Sequence, residues 1–406
     1  MLLFIKDNSK ILLPSLYLLL GGLMTLIAFL IHDIFLADEV SQETTHQVVV
    51  NQVGAEVLQP SKITGRYLMT GTVVWDRNVE RASRQTDGSL DYEYPFRGLD
   101  TYQPHNYDAW VADLECPIHS DDLAYELGHT LLEFNCLPEF LPYAQKYFQF
   151  FNLANNHSDN SGSAKLEATR RLLKAVNIQP FGDPDPGQNQ HACQVVSLPI
   201  KLWQTEDQFE EAKMPVAFCA WHYFYRLPLA GEIEILKQYA ELMPVFAFLH
   251  MGAEYSTTAD GVQTAIAHQV IDAGADFVIA NNPHWVQNAE LYKEKLIVYS
   301  TGNFIFDQAF NEEVKRSANI IVEIEADWNQ NLADWIDLAS DCSGSPNKCL
   351  ELAQSKKLQK LPIKMNFDVI AGYLTNHQQA VGNTSIQTAV KKRLDWDALF
   401  KQDENH

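Results

Sequence analysis

A chain of 406 residues with 30 Lys and Arg against 52 Asp and Glu carries a formal charge of −22. That balance excludes a general affinity for nucleic acid, because neutralising phosphates takes a surplus of cations. It equally excludes bulk attraction to an anionic lipid surface, so an acidic substrate has to be met by a metal or by a few placed cations.

The first predicted element is the uncharged run "ILLPSLYLLLGGLMTLIAFLI", residues 11–31. At ~1.5 Å of helical rise per residue it can span a hydrocarbon core of ~30 Å. Lys6 and Lys10 precede it, while Asp33, Asp38 and Glu39 follow it. The positive flank predicts a cytoplasmic tail at 1–10, a transmembrane helix at 11–36 and an extracytoplasmic main domain, hence a single-pass protein of the cell membrane. The run exceeds the ~7–15 apolar residues of a cleaved signal peptide, and no clear A-x-A site follows. Residues 37–62 are polar and weakly periodic, as suits a linker.

From residue 63 short apolar runs alternate with amphipathic patterns. "RYLMTGTVV", "FQFFNLA", "PVAFCAW", "PVFAFLH", "DFVIAN", "LIVYST" and "ANIIVEIEA" read as strands. "SAKLEATRRLLKAV", "GEIEILKQYAELM" and "ADGVQTAIAHQVIDAG" space their apolar residues as helices do. "YKEK", residues 292–295, reads as a hairpin tip. The alternation predicts an α/β domain over 63–326. Residues 327–406 form a C-terminal extension whose pattern is too weak to assign.

Six cysteines, none in a CxxC pair, argue against a zinc knuckle. An even count beyond a membrane anchor predicts structural disulfides. Cys342 and Cys349 flank the turn-rich "SGSPNK" and are expected to pair; the connectivity of the other four stays open.

The polar residues collect where strands stop. Thr72, Asp76 and Arg77 follow one strand, and Asp113 and Glu115 end another. Asn155, Asn156, His157 and Asp159 follow a third. His250 ends the next, with Glu254 close behind, and "FVIANNPHWVQ" adds Asn281, Asn282 and His284. Asn303 and Asp307 close the series. In α/β sheets a site forms in the crevice beyond the carboxyl ends of the strands. Imidazole, carboxylate and carboxamide together suit Zn, Mn or Fe, and one or two such ions can polarise a phosphoryl or carbonyl oxygen. Pro283 fixes the turn between Asn282 and His284, which are expected in a rigid, exposed loop.

These motifs resemble the CapA family, proteins of poly-γ-glutamate capsule synthesis related to calcineurin-like metallophosphatases. "GTVVWDR", "DLE", "ANNHSDNSG", "LHMGAEY", "GADFVIANNPHWVQ" and "VYSTGNFIFDQ" follow the family's order between about residues 66 and 325. The resemblance implies a four-layer α/β/β/α sandwich and an amino-terminal anchor. It implies a metal-dependent hydrolase or transferase, phosphoesterase-like or acting on a γ-glutamyl polymer. Its ion ligands would be Glu115 with His284 for one ion, and Glu115, Asn156, His250 and Asn282 for the other. His157, Asp159 and Arg77 would carry catalysis, while Asn155, Asn281, Glu254 and Asn303 would contact substrate. Thr72 stands where the family has a ligating Asp, and Asn282 where it has the first His of histidine-proline-histidine, so each ion loses a strong ligand. The implied partners are an anionic polymer or an envelope small molecule, with other capsule-synthesis membrane proteins nearby. A polymer-binding or scaffold role without catalysis is the alternative.

Overall fold

The computed structural model describes residues 59–120, 130–343 and 345–400. The expected tail, anchor and most of the linker lie outside them. Among the described residues no helix is long and apolar enough to cross a membrane.

The first strand, β1 (Lys62–Val73), organises the fold because it belongs to two leaves of one branched sheet. Its amino-terminal part pairs antiparallel with β5 (Cys193–Trp203) and β12 (Arg316–Asp327). Beyond Met69 its register slips, and its end runs parallel to β2 (Ala109–Leu114) and β11 (Asn303–Ile305). Gly71 sits at the slip, where a Cβ would come within 2.0 Å of the Gly302 carbonyl oxygen, so the close approach requires glycine.

One leaf continues from β2 to β3 (Phe150–Asn152) and β4 (Gln179–Phe181), all parallel. The other runs from β5 through β6 (Phe209–His222), β7 (Val245–His250) and β8 (Phe277–Asn281) to β10 (Lys295–Val298). There β9 (Ala289–Tyr292) forms the edge. Lys293 and Glu294, at φ 51° and 64°, turn the hairpin where "YKEK" predicts it.

Side chains alternate across the first leaf with the period of two that strands impose. Phe150 and Phe181 point inward onto Phe218 and Phe248 of the second leaf, with ring centroids 4.7 to 5.4 Å apart. Trp110 and Phe151 point outward, into a core closed by Phe148, Phe304 and by Leu166 and Leu173 of α1 (Ser163–Ala175). On the second leaf α2 (Gly261–Asp272) buries Ile266, Val270 and Ile271, and Asp260 with Gln263 forms its capping box. At ~1.5–3 kcal/mol per fully buried aromatic, these clusters outweigh the exposed ion pairs, worth ~0–1 kcal/mol each.

The sheet does not stop at residue 326. Here β13 (Lys364–Thr375) lies antiparallel along β12, and β14 (Gln378–Val381) follows it. The helices α3 (Gln330–Asp337) and α4 (Pro346–Ser355) set Leu332, Trp335 and Leu350 into the same core as β6 and β7. Neither β5 nor β13 reads as a strand in sequence: Pro199 interrupts β5, and β13 is half exposed with polar residues at alternate positions. The helix expected over 231–243 is broken, with a 3-10 turn at Ile233–Leu236 followed by one turn at Lys237–Ala240. The disulfides are Cys116–Cys136, Cys193–Cys219 and Cys342–Cys349, the last as expected.

Candidate functional site

The carboxyl ends of β1, β2, β3, β7 and β8 meet at one end of the two leaves. The loop after β8 turns there through left-handed Asn282 (φ 100°) and His284 (φ 58°) on either side of Pro283. The sequence reading places this loop in solvent, yet Asn282 is 1% and His284 6% exposed. The turn folds inward because Asn282 Nδ2 donates to the Gly252 carbonyl at 2.6 Å and the His284 ring packs on Phe306. Strained backbone of this kind persists only where packing over-determines it.

His250 lies at the centre. Its Nδ1 donates to Asp113 Oδ2 at 2.8 Å, and its Nε2 lies 2.7 Å from Asn156 Oδ1 and 3.7 Å from Glu115 Oε1. Asp113 also accepts from the side-chain amides of Asn152 and Asn155. Burial disfavours a charged His250, but Asp113, then Glu115 and Asn282, outweigh it and raise the imidazole above its ordinary range. Nε2 faces Asn156 Oδ1 and Glu115 Oε1 on the side away from Asp113, where a cation can take its place among acceptors. Burial pushes Glu115 up to about 8, with His250 pulling the other way.

Two buried acceptors here have no hydrogen bond of normal geometry among the described residues, Glu115 Oε2 and Asn282 Oδ1. Leaving one such atom unmet costs ~1–3 kcal/mol. A divalent ion satisfies buried acceptors of this kind, and an imidazole whose other nitrogen is held by a carboxylate is the usual partner for it. The donor set Glu115, Asn156, His250 and Asn282 therefore fits one ion. It leans on two carboxamides, since among the described residues no three His, Cys, Asp or Glu side chains are grouped to hold an ion. Thr72, buried at the end of β1, brings only a hydroxyl to the second position.

His157 stacks on Phe134 at 3.9 Å, and Nδ1 lies 2.8 Å from Asn160 Oδ1. That oxygen also accepts from the Phe134 N–H, so Nδ1 carries the hydrogen and Nε2, 3.9 Å from Glu115 Oε1, presents a lone pair. Burial pushes this imidazole down to about 4, which keeps it neutral and makes it a proton acceptor rather than an acid. His284 is built alike: Nδ1 donates to Asn303 Oδ1 at 2.9 Å, Nε2 lies 4.0 Å from Glu254 Oε1, and burial pushes it to about 3.

Arg77 is not free to clamp substrate. Its guanidinium is bonded to Asp307 at 2.6 Å, lies 3.9 Å over Phe134 and is buried. Asn155, Asn281 and Asn303, expected as substrate contacts, are each engaged within the fold. Asn155 is fully buried between Asp113, Leu114 and the 157–158 backbone, so it shapes the loop rather than capping α1. Asn281 accepts from Thr301, and Asn303 orients His284. Of that group only Glu254 reaches solvent. Asp159 is exposed and its charged neighbours are Asp183 and Asp185, so the catalytic role expected of it has no geometric support.

Sequence reasoning left His222 out. It ends β6 beside His250, with ring centroids 5.8 Å apart, and its buried Nε2 has no partner among the described residues. The strand-end rule would have found it in "PVAFCAWH". Clefts of about 1050 and 820 Å³ are lined by other residues, so this site is marked by its donors and not by volume.

Comparison with known proteins agrees with the family resemblance. Residues 66–308 match the family described as bacterial capsule synthesis protein PGA_cap. The chain is 25% identical to the capsule biosynthesis protein CapA of Bacillus anthracis over 273 residues, 63% of this chain and 64% of that protein. It is 36% identical to the PGA biosynthesis protein CapA of Bacillus subtilis (strain 168) over 84 residues, 21% of each. The matches thus span less than two thirds of either relative. Among solved structures, the calcineurin-like phosphoesterase YfkN from Bacillus subtilis gives a TM-score of 0.35 at 9% identity, covering 73% of this chain and 97% of that one. A putative 5'-nucleotidase from Staphylococcus aureus gives 0.37 at 9% identity, covering 81% and 58%. Likenesses this slight carry no argument about chemistry. On the match over more than half its length, the chain belongs to the bacterial capsule synthesis family PGA_cap.

Proposed function

We propose that the protein is a membrane-anchored, outward-facing component of capsule-polymer synthesis whose strand-end site holds one divalent ion and hydrolyses or transfers a phosphoester or γ-glutamyl bond. The observation that carries this reading is the pair of buried acceptors without a hydrogen bond of normal geometry, Glu115 Oε2 and Asn282 Oδ1, beside a histidine fixed by Asp113. The three disulfides and the uncharged run at 11–31 support the outward placement. We read the two leaves and their helical covers as the four-layer α/β/β/α sandwich that the family resemblance implies.

Glu115, Asn156, His250 and Asn282 would hold the ion. When bound, it would polarise an oxygen of the scissile group and lower the pKa of attacking water. Asp113 orients His250, and Phe134 and Asn160 fix the His157 ring so that its bare Nε2 can accept a proton. Asn303 does the same for His284.

The test is Mn²⁺ binding by calorimetry on the full chain in detergent, with hydrolysis of phosphate esters and of γ-glutamyl peptides followed in parallel. The expected result is one ion per chain and metal-dependent turnover, both lost in His250→Ala. Absence of binding and turnover in the wild type would end this reading. Binding without turnover favours the second one, a polymer-binding or scaffold component, which the two carboxamide donors and Thr72 support.

A further inference from the structure

The charge of −22 sets a problem for any protein that handles an acidic polymer, because like charges repel across an acidic surface. One region is an exception. The cleft of about 820 Å³ is bounded by the end of α1, β4, the start of β5 and the amino end of α4. It adjoins a second of about 430 Å³, and the two share Asn177, Gln179, Lys213 and Ser343. Both lie in the size range of ligand sites, ~300–1,000 Å³.

No Asp or Glu lines either cleft among the described residues, although 52 of the chain's 406 residues are acidic. Lys174 and Lys213 do line it, and neither side chain has an ion-pair or hydrogen-bond partner among the described residues. On the same helix Arg170 is already engaged by Glu167 and Asp183, so of these two cations it is Lys174 whose side chain remains available among the described residues. A third positive element is the start of α4. Ser345, Pro346 and Asn347 open into the cleft, and the Ser345 side chain makes no cap hydrogen bond. His191 also lines the cleft, with Asp183 3.8 Å away.

We propose that this joined cleft is a groove for an extended polyanion rich in carboxylates, separate from the strand-end site. The proposal rests on the anionic-polymer reading and adds where the polymer lies. Lys174, Lys213 and the first turn of α4 hold successive carboxylates, while the amides of Asn177 and Gln179 meet the polymer backbone.

The experiment is fluorescence anisotropy of labelled poly-L-glutamate with the full chain in detergent, at low and high salt, with dextran as neutral polymer. Wild type is expected to bind the polyanion in a salt-sensitive manner and to ignore dextran. Lys174→Glu with Lys213→Glu should weaken binding about tenfold or more, leaving Tm and Mn²⁺ affinity unchanged, whereas Lys174→Arg with Lys213→Arg should retain it. If the Glu pair binds like wild type, the groove is wrong while the polymer reading stands. Equal binding of dextran also overturns the groove. No binding of poly-L-glutamate by wild type removes both.

Discussion

Asp113 Oδ2 and His250 Nδ1 face each other at 2.8 Å in a pocket that exposes neither side chain beyond 2%. The carboxylate gathers His250, Asn152 and Asn155, so the ends of β2, β3 and β7 are tied through one residue. Asp113 is a positioning residue. In Asp113→Asn an amide replaces one oxygen and faces N–H donors instead of accepting from them. Losing such an outer carboxylate costs about 10–100-fold in metal affinity, and breaking a buried pair costs ~3–5 kcal/mol. Calorimetry with Mn²⁺ and urea unfolding should therefore both move. A variant that loses stability but keeps its affinity would show that Asp113 only packs.

Asn282 lies beside His250 with its Oδ1 lacking a hydrogen bond of normal geometry and its backbone at φ 100°. The positive φ does not bar a replacement by histidine, since Asn and His both occur there more often than most residues do. Asn282→His puts imidazole where carboxamide stands and gives up the bond to Gly252. The expected outcome is Mn²⁺ or Zn²⁺ binding tighter by about tenfold or more, with a small loss of Tm. Unchanged affinity would place position 282 outside the ion's reach.

Much of this site was legible because strand ends can be read from hydrophobic runs. Glu115, Asn156, His157, His250 and His284 each follow such a run, and the fold brings them together. What sequence could not show is which polar atoms the scaffold uses up. Asn155 and Asn303 look like substrate contacts until their side chains are found bonded to Asp113 and His284. Arg77 looks like an anion clamp until Asp307, 230 residues away, is found against it. Those pairings are long-range and carry no local pattern. The same holds for the fold: β12 carries the apolar run Ile320–Val322 and was visible, whereas β13 owes its place to β12 and was not.

Asp76 offers a pH test away from the proposed ligands. Burial raises its carboxyl to about 6, against the pull of two backbone N–H groups, those of Asn135 and Arg77. The folded state thus holds the proton to higher pH than the unfolded chain, whose ordinary value is 3.8. The contribution to stability is full below 3.8 and is lost as pH rises through about 6. The whole change amounts to ~3 kcal/mol. Asp76→Asn cannot ionise, so the difference in unfolding free energy between wild type and variant should shrink or reverse between pH 4 and pH 6 (~2 pH units) and stay flat above. A difference constant across that range would mean Asp76 is not held protonated.

The disulfides should separate fold from site. Cys116 follows Glu115 directly, and its bond to Cys136 ties the end of β2 to the segment carrying Phe134 and Asn135. Phe134 supports His157 and Arg77, and the Asn135 N–H donates to Asp76. The Cys342–Cys349 bond closes a separation of 7 residues between the end of the α3 segment and α4, away from these groups. Loop-closure entropy assigns ~3 kcal/mol to a crosslink over about 20 residues and ~2 kcal/mol to one over about 7. Replacing Cys116 and Cys136 by alanine should therefore lower both unfolding free energy and Mn²⁺ affinity. Replacing Cys342 and Cys349 should lower stability alone, because the segment it releases touches neither His157 nor Glu115. Equal losses of affinity in the two variants would mean that the site responds to global stability and that the 134–136 segment has no special hold on it.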